Sequence, residues 1–249
     1  MDRPVFSSRP VVIALALVLV VLALGISRFL GEAVGTLLRM FSLDLSTTVR
    51  LVLGVVIQQG LVFCGLTALY LRIRNRDIDW IGVSVPDFKQ IRWIAGGWVI
   101  AFTAAFLFGI LILLAGFNAG ENRLVRIVAD NPEALLVMIP VTIVLIGPGE
   151  ELLFRGVVQG SLRERFGPVI AITLASAIFA AAHVTSLTGT LESRMVTIAL
   201  LFFPTLVFAI SYERTGNILV PILIHGLYNA TLFSLQYVVI KLSGTPVVL

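Results

Sequence analysis

The sequence has two histidines, His183 and His225, and each lies within or at the end of an apolar run. Two adjacent carboxylates, Glu150 and Glu151, end another apolar run. An ionisable side chain at membrane depth costs about 2.5 to 3.5 kcal/mol on insertion scales, so it normally faces a protein interior or a wet cavity and often marks function. These four residues are the first candidates for a reactive site.

The two carboxylates have different expected partners. Arg155 stands four residues after Glu151, a spacing that puts the two side chains on one helix face in the favourable acid-before-base order. Glu150 is rotated by about 100° around the same helix and lacks this partner. We therefore expect Glu151 to stay ionised and hold the helix in register, and Glu150 to exchange protons with water as a general base does.

The same spacing recurs on two other predicted helices. Phe179 and His183 are four residues apart, as are His225 and Asn229, so each pair shares one helix face. One Glu, two His and one Asn supply what peptide hydrolysis needs, namely a base for water, groups that polarise the carbonyl and a donor for the oxyanion. Two His and a carboxylate also suit a divalent metal with an open position for water. Both alternatives stay open at this point.

The composition predicts an integral membrane protein. Hydrophobic residues make up 58% of the chain and charged residues 13%, far from the average usage of soluble domains. In hydrocarbon every backbone polar group must be satisfied within the segment, which favours helices. We predict an all-α, polytopic bundle of about seven to eight transmembrane helices that forms a single domain over residues 1–249, because such spans and their connectors use up the chain.

Apolar runs broken by charges, proline and glycine predict where the spans lie. A surface helix is also expected at residues 30–41. The candidate spans cover approximately residues 11–27, 49–71, 93–117, 134–147 with a continuation through the glutamate pair, 169–183, 196–212 and 218–240.

The chain's charges and its cysteine exclude several classes. The formal net charge is +4, but the basic residues are scattered through short connectors and form no basic face, so no nucleic-acid partner is expected. The single cysteine, Cys64, lies in an apolar run and rules out an intrachain disulfide. Arg3 and Arg9 precede an apolar run as in a signal peptide, but this run is longer than the usual core of about 7 to 15 residues. We interpret it as a retained first span.

The distribution of lysine and arginine predicts the orientation in the cell membrane. With the N-terminus in the cytoplasm, the two most basic connectors lie inside, as the positive-inside rule favours. The C-terminus then lies outside. The basic residues placed inside are Arg72, Arg74, Arg76, Lys89, Arg92, Arg163 and Arg165.

Three motifs together resemble the CPBP intramembrane proteases, which include the CAAX prenyl endopeptidases and the bacteriocin-processing or immunity proteins. Residues 150–155 read EELLFR and resemble the family's EExxxR motif. Residues 179–183 read FAAAH and resemble FxxxH, and residues 225–229 read HGLYN and resemble HxxxN. The resemblance covers roughly residues 134–235, the predicted catalytic core, and no motif position departs from the pattern.

The resemblance implies a role for each motif residue. Glu150 is implied as the base that activates water, with Glu151 and Arg155 as its structural support. For cofactors, the resemblance implies either a divalent metal such as zinc, with Glu150 as a tentative ligand, or a metal-free glutamate mechanism. The other implied residues, which bind the metal or polarise the substrate and steady the oxyanion, are His183, His225 and Asn229.

The leading functional hypothesis is an endopeptidase that cleaves a membrane-anchored or lipidated protein, with CAAX-type substrates among the options, near the cytoplasmic face. One rival is a proton- or ion-coupled transporter in which the glutamate and histidines form a relay. The chain shows one polar cluster and lacks the paired repeats of many transporters. A second rival is a non-catalytic immunity or adaptor membrane protein with the same fold.

Other polar positions are given lesser roles. The glycines and proline at residues 147–149 are expected to break or widen the helix so that water and an extended peptide reach Glu150. Gln58 and Gln59 lie within the second span and are an alternative lining of the same cavity, but we do not count them among the site residues. Three acidic residues are expected to be solvated in a connector, namely Glu121, Asp130 and Glu133.

Overall fold

The computed structural model describes residues 8–244, and within that range the chain is almost entirely helical. Arg3, which entered the comparison with a signal peptide, lies outside the described residues. Seven helices in this range are long and apolar enough to cross a membrane, which confirms the all-α membrane fold. The helices are α1 (Arg9–Met40), α2 (Thr47–Ile73), α3 (Phe88–Leu114), the short α4 (Arg123–Val128), α5 (Glu133–Arg163), α6 (Pro168–Ser186), α7 (Leu191–Thr215) and α8 (Leu219–Ser243).

The predicted separate surface helix at residues 30–41 is wrong. These residues continue α1 without interruption to Met40. Arg28 and Glu32 form an ion pair of 2.9 Å at the four-residue spacing, and such a pair favours helix across this polar stretch. The first helix is therefore longer than the apolar run that predicts it.

Several helix ends follow from local sequence. Asp87 and Gln90 form a capping box at the start of α3, and Thr190 accepts a hydrogen bond from the backbone N–H of Ser193 at the start of α7. These side chains satisfy backbone donors that the first helical turn leaves free. At the other end of α7, Gly216 adopts the left-handed conformation, with φ of 61°, which glycine accepts without strain.

Three stretches depart from α-helical geometry and are π-helical instead: Val56–Phe63 in α2, and Thr142–Ile146 and Leu152–Gln159 in α5. Pro140 and Pro148 lie in α5, and each removes a backbone donor from the regular hydrogen-bond pattern. Wider turns of this kind occur frequently at functional sites. The expected widening of α5 is therefore present on both sides of the turn that carries the glutamate pair.

The connectors at one end of the bundle are fastened together. Glu164 accepts hydrogen bonds from Arg74 at 2.9 Å and from Arg76 at 2.8 Å. The Asn217 side chain donates to the Ser84 carbonyl oxygen at 2.8 Å, and thus joins the connector before α3 to the turn between α7 and α8. This end carries the basic connectors of the orientation prediction.

The opposite end carries the only strand pair in residues 8–244. Strand β1 (Glu121–Asn122) pairs antiparallel with β2 (Leu187–Thr188), with Glu121 opposite Thr188. The pair joins the connector between α3 and α5 to the connector between α6 and α7. Many large apolar side chains on the outside of the bundle are exposed, as a lipid-facing surface requires.

Candidate active site

Glu150 lies in the α-helical turn Gly147–Glu151, between the two π-helical stretches of α5. At this turn α5 approaches α2 closely, because Gly149 has no side chain. A Cβ atom there would lie 2.8 Å from the backbone oxygen of Gln59. The glycine thus brings Glu150 next to the second span.

The two oxygens of Glu150 have different environments. Oε1 accepts a hydrogen bond of 2.9 Å from Nε2 of Gln59. Oε2 is buried and has no hydrogen-bond partner among the described residues. It lies 3.8 Å from Nε2 of His225 and 4.0 Å from Nε2 of His183. One oxygen is therefore fixed, and the other faces both imidazoles.

Glu151 uses both of its oxygens in hydrogen bonds and is fully buried. Oε2 accepts from Nε of Arg155 at 2.9 Å, as the four-residue spacing predicts, and Oε1 accepts from Nδ1 of His225 at 2.9 Å. Arg155 also donates to Thr205 of α7 and lies over the ring of Phe179, 5.0 Å from its centroid. The pair thus connects α5 with three neighbouring helices.

His225 on α8 is oriented by this carboxylate. Because ionised Glu151 only accepts hydrogen bonds, Nδ1 carries the proton, and Nε2 points toward Glu150. The ring of Phe208 stacks on the imidazole at 4.8 Å between centroids and 17° between planes. The orientation of His225 is therefore fixed by one hydrogen bond and one aromatic face.

His183 lies at the end of α6, where the helix tightens into a 3-10 turn over His183–Ser186. Its Nδ1 lies 3.0 Å from the carbonyl oxygen of Phe179, which accepts a hydrogen bond from it. The Phe179 ring contacts His183 and His225, with centroids 4.8 Å and 5.8 Å apart. Phe179 therefore packs against both imidazoles, in keeping with the packing role that the spacing suggests.

A cavity of about 420 Å³ connects these groups. It is lined by Glu150, both histidines and Asn229, so the side chains of all three motifs meet in one place. Asn229 is half-buried, and the described residues give its side chain no hydrogen bond. Its amide is available to a bound molecule.

The cavity extends from Glu150 to exposed residues at the end of the bundle that carries the strand pair, and its rim includes Glu121, Arg123 and Arg126. That end is opposite the basic connectors, because the seven spans alternate in direction. The two expectations of a cytoplasmic N-terminus and of cleavage near the cytoplasmic face are therefore inconsistent with each other. Glu121 and Asp130 are exposed in the connector as expected, and Glu133 is exposed but begins α5 and pairs with Lys241.

The sequence interpretation missed Gln59, and the structure corrects it. Gln58 and Gln59 both line the cavity, and Gln59 contacts Glu150 directly. Two adjacent glutamines in an apolar span are an intramembrane polar signal of the same kind as the histidines. Sequence spacing links residues on one helix only, and therefore did not connect α2 with α5.

The donor types suit a divalent metal, since both histidines present Nε2 toward a carboxylate oxygen and His225 has a carboxylate on its other nitrogen. The distances between the Glu150 oxygen and the two histidine nitrogens do not suit a bound metal ion. Tetrahedral ligands with bonds of about 2.0 Å lie roughly 3.3 Å apart, less than the 3.8 Å and 4.0 Å found here. No group of three potential ligands in residues 8–244 has metal-binding geometry. We derive no step through a metal, and the predicted metal set stays a prediction.

The fold and the cavity define a polytopic membrane protein with a polar site enclosed by its helices. Within this class, residues 132–231 match the family model described as "Type II CAAX prenyl endopeptidase Rce1-like". The match contains all three motifs. The motif-bearing segment is thus similar to this family of membrane endopeptidases, and the resemblance that the motifs predict is confirmed.

Two relatives match over a longer stretch. An Escherichia coli protein named "Uncharacterized 24.3 kDa protein" is 27% identical over 176 residues, which cover 67% of this chain and 73% of that protein. The Bacillus subtilis protein named "Putative membrane peptidase YdiL" is 28% identical over 165 residues, 66% of this chain and 61% of that protein. No solved structure matches significantly.

Proposed function

We propose that this protein is an intramembrane endopeptidase in which Glu150 activates the water that attacks the peptide bond. One observation carries the proposal: the free oxygen of Glu150 lies 3.8 Å and 4.0 Å from two imidazole nitrogens, in a cavity within the helix bundle. A general base needs a free lone pair within reach of the proton that it takes. Glu151 has both oxygens occupied and cannot serve.

The separation between Glu150 and each histidine suits a water molecule held between the two side chains. Two hydrogen bonds of about 2.8 Å from one water oxygen span about 4 Å when they meet at roughly a right angle, close to the separations between Glu150 and the histidines. Glu150 takes a proton from this water as the water oxygen attacks the carbonyl carbon of the peptide bond. Glu150 then returns the proton to the leaving nitrogen as the C–N bond breaks.

Charge that develops on the carbonyl oxygen needs hydrogen-bond donors. The Asn229 amide faces the same cavity and carries two N–H donors in every protonation state. His183 and His225 line the same cavity, and the Glu151 carboxylate orients the His225 ring through Nδ1. Donors already in place at the transition state are among the largest contributions to acyl-transfer catalysis.

The substrate class follows from where the cavity lies. A cavity between transmembrane helices receives a peptide that is itself held in or at the bilayer, so the proposed substrate is a membrane-anchored or lipidated protein. The family description adds CAAX-type prenylated proteins to the candidates. Under the positive-inside orientation, the rim at Arg123 and Arg126 lies on the side away from the cytoplasm.

The experiment uses the purified full chain in lipid vesicles with a library of membrane-anchored peptides, some of them prenylated. Glu150→Ala, His183→Ala and His225→Ala should each abolish cleavage that the unaltered protein performs. The control is Glu32→Gln, which changes a carboxylate that is exposed and paired with Arg28 on α1. Cleavage that survives Glu150→Ala would remove the base assignment.

Metal content and the response to chelators are measured in the same preparations. They distinguish the metal-dependent reaction from the metal-free one for the same residues. Absence of cleavage by the unaltered protein across the library would favour the transporter or the non-catalytic alternative.

A further inference from the structure

We propose that Gln59 is a positioning residue for Glu150, which holds the carboxylate so that one oxygen stays free and faces the two histidines. The inference deepens the proposed function and rests on it. Gln59 lies outside the three motifs and outside residues 132–231, the segment that matches the family model.

The hydrogen bond itself is the first observation. Nε2 of Gln59 donates to Oε1 of Glu150 at 2.9 Å, and both side chains are buried, with Gln59 4% and Glu150 8% exposed. A hydrogen bond to a charged group contributes more than one between neutral groups, and more so where water is scarce. This contact therefore has the strength to fix a side-chain rotamer.

The second observation is how the two carboxylates are divided. Glu151 is held at both oxygens, by Arg155 and His225. Glu150 is held at one oxygen only, by Gln59. A glutamate side chain has three rotatable bonds, so without that contact the free oxygen would sample positions away from the histidines. Gln59 thus fixes the position of the Glu150 carboxylate, as Arg155 and His225 fix that of Glu151. It leaves the second oxygen of Glu150 free to react.

The third observation is that the backbone fixes Gln59 itself. Gln59 lies in the π-helical stretch Val56–Phe63 of α2. Its backbone approaches Gly149 of α5 so closely that a Cβ on Gly149 would not fit. This close contact sets the distance between the two helices, and a glutamine side chain is long enough to bridge it. The hydrogen bond from Gln59 to Glu150 therefore requires both Gly149 on α5 and the glutamine side chain on α2.

The test compares Gln59→Met with Gln159→Met in the purified full chain. Methionine has nearly the length of glutamine and lacks the donor. Gln159 is a matched control because it is fully buried in α5, donates to the carbonyl oxygen of Ala209 and does not line the cavity. Both changes remove one buried amide hydrogen bond.

For Gln59→Met we expect kcat to fall about 10- to 100-fold with KM within about threefold, since a misplacement of about 1 Å at a reacting group can cost about 100-fold in rate. Gln59→Asn keeps the amide but is one methylene too short, and should lose activity as well. Gln159→Met should lower the melting temperature at least as much as Gln59→Met and keep kcat. A kcat within twofold of the unaltered protein in Gln59→Met, or an equal fall in both methionine variants, would overturn the inference.

A spectroscopic measurement distinguishes failure of this inference from failure of the proposed function. The infrared carboxylate band of Glu150 should shift in Gln59→Met, and this shift should be absent when Glu150 is replaced by glutamine. Without such a shift, Gln59 does not hold Glu150, whatever the activity. A shift in a protein that cleaves no peptide would support the hold of Gln59 on Glu150 and contradict the proposed function.

Discussion

Nδ1 of His225 donates to Oε1 of Glu151 across 2.9 Å and so joins α8 to α5. The same carboxylate accepts from Arg155, and all three side chains are buried. The second glutamate of the pair is therefore part of the framework that orients a histidine, and the first glutamate keeps one oxygen without a hydrogen-bond partner among the described residues. This division of roles leads to the predictions below.

Glu151→Gln should destabilise the protein and abolish activity. The amide cannot accept from both Arg155 and His225 without directing its own N–H donors at one of them. Removal of one partner from a buried ion pair costs about 3 to 5 kcal/mol. Thermal unfolding in detergent measures the loss.

The control for Glu151→Gln is Glu213→Gln. Glu213 pairs with Arg163 at 2.9 Å in a more exposed position, where such a pair contributes about 0 to 1 kcal/mol. Equal stability losses in the two variants would contradict the framework role of Glu151.

Gly149→Ala should reduce both stability and turnover. A Cβ at this position would lie 2.8 Å from the Gln59 oxygen and 2.9 Å from its Cα, so α5 and α2 must move apart and the contact between Gln59 and Glu150 must lengthen. Gly65→Ala on α2 is the control, since a Cβ there meets nothing within 4 Å. A Gly149→Ala variant with unchanged melting temperature and turnover would show that the close approach is unnecessary.

Asn229→Ala should lower kcat with little change in KM. Removal of one oxyanion donor costs about 100- to 1000-fold in other acyl-transfer enzymes, and we expect a loss in this range. Asn131→Ala changes an asparagine that contacts Thr48 and does not line the cavity, and it should retain its turnover. If Asn229→Ala raises KM and leaves kcat unchanged, Asn229 binds the ground state and does not stabilise the oxyanion.

The orientation can be tested with single cysteines, because Cys64 is the sole native one. In a Cys64→Ser background, Lys89→Cys should react with membrane-impermeant reagents only from the cytoplasmic side. Arg123→Cys, at the cavity rim, should react only from the opposite side. Labelling of intact cells and of inverted vesicles gives the answer, and the reverse pattern would place the N-terminus outside and the cavity rim in the cytoplasm.

The parts of the site that sequence could predict are those set within one helix. The pairing of Glu151 with Arg155 follows from a spacing of four residues, and so does the shared face of His225 and Asn229. The apolar runs also predict all seven spans, because the thickness of the bilayer sets the length of a span and its hydrocarbon core requires apolar residues. Such features depend on the periodicity of one helix and on the solvent around it, and not on contacts with distant segments.

The parts that sequence missed depend on contacts between distant segments. Gln59 and Glu150 are 91 positions apart and lie on different helices, so no spacing within one helix connects them. α1 continues through residues 30–40, past the polar stretch that carries the exposed pair of Arg28 and Glu32. The end of the bundle at which the cavity opens depends on how all the spans pack together.

The most direct test of the central claim is the turnover number of Glu150→Gln on a peptide that the unaltered protein cleaves. The amide keeps an oxygen that can accept from Gln59, so the fold should persist with a similar melting temperature. General base catalysis contributes about 100- to 10,000-fold, and we predict a loss of turnover in or above that range. Turnover within tenfold of the unaltered protein, in a correctly folded variant, would contradict the assignment of Glu150 as the base.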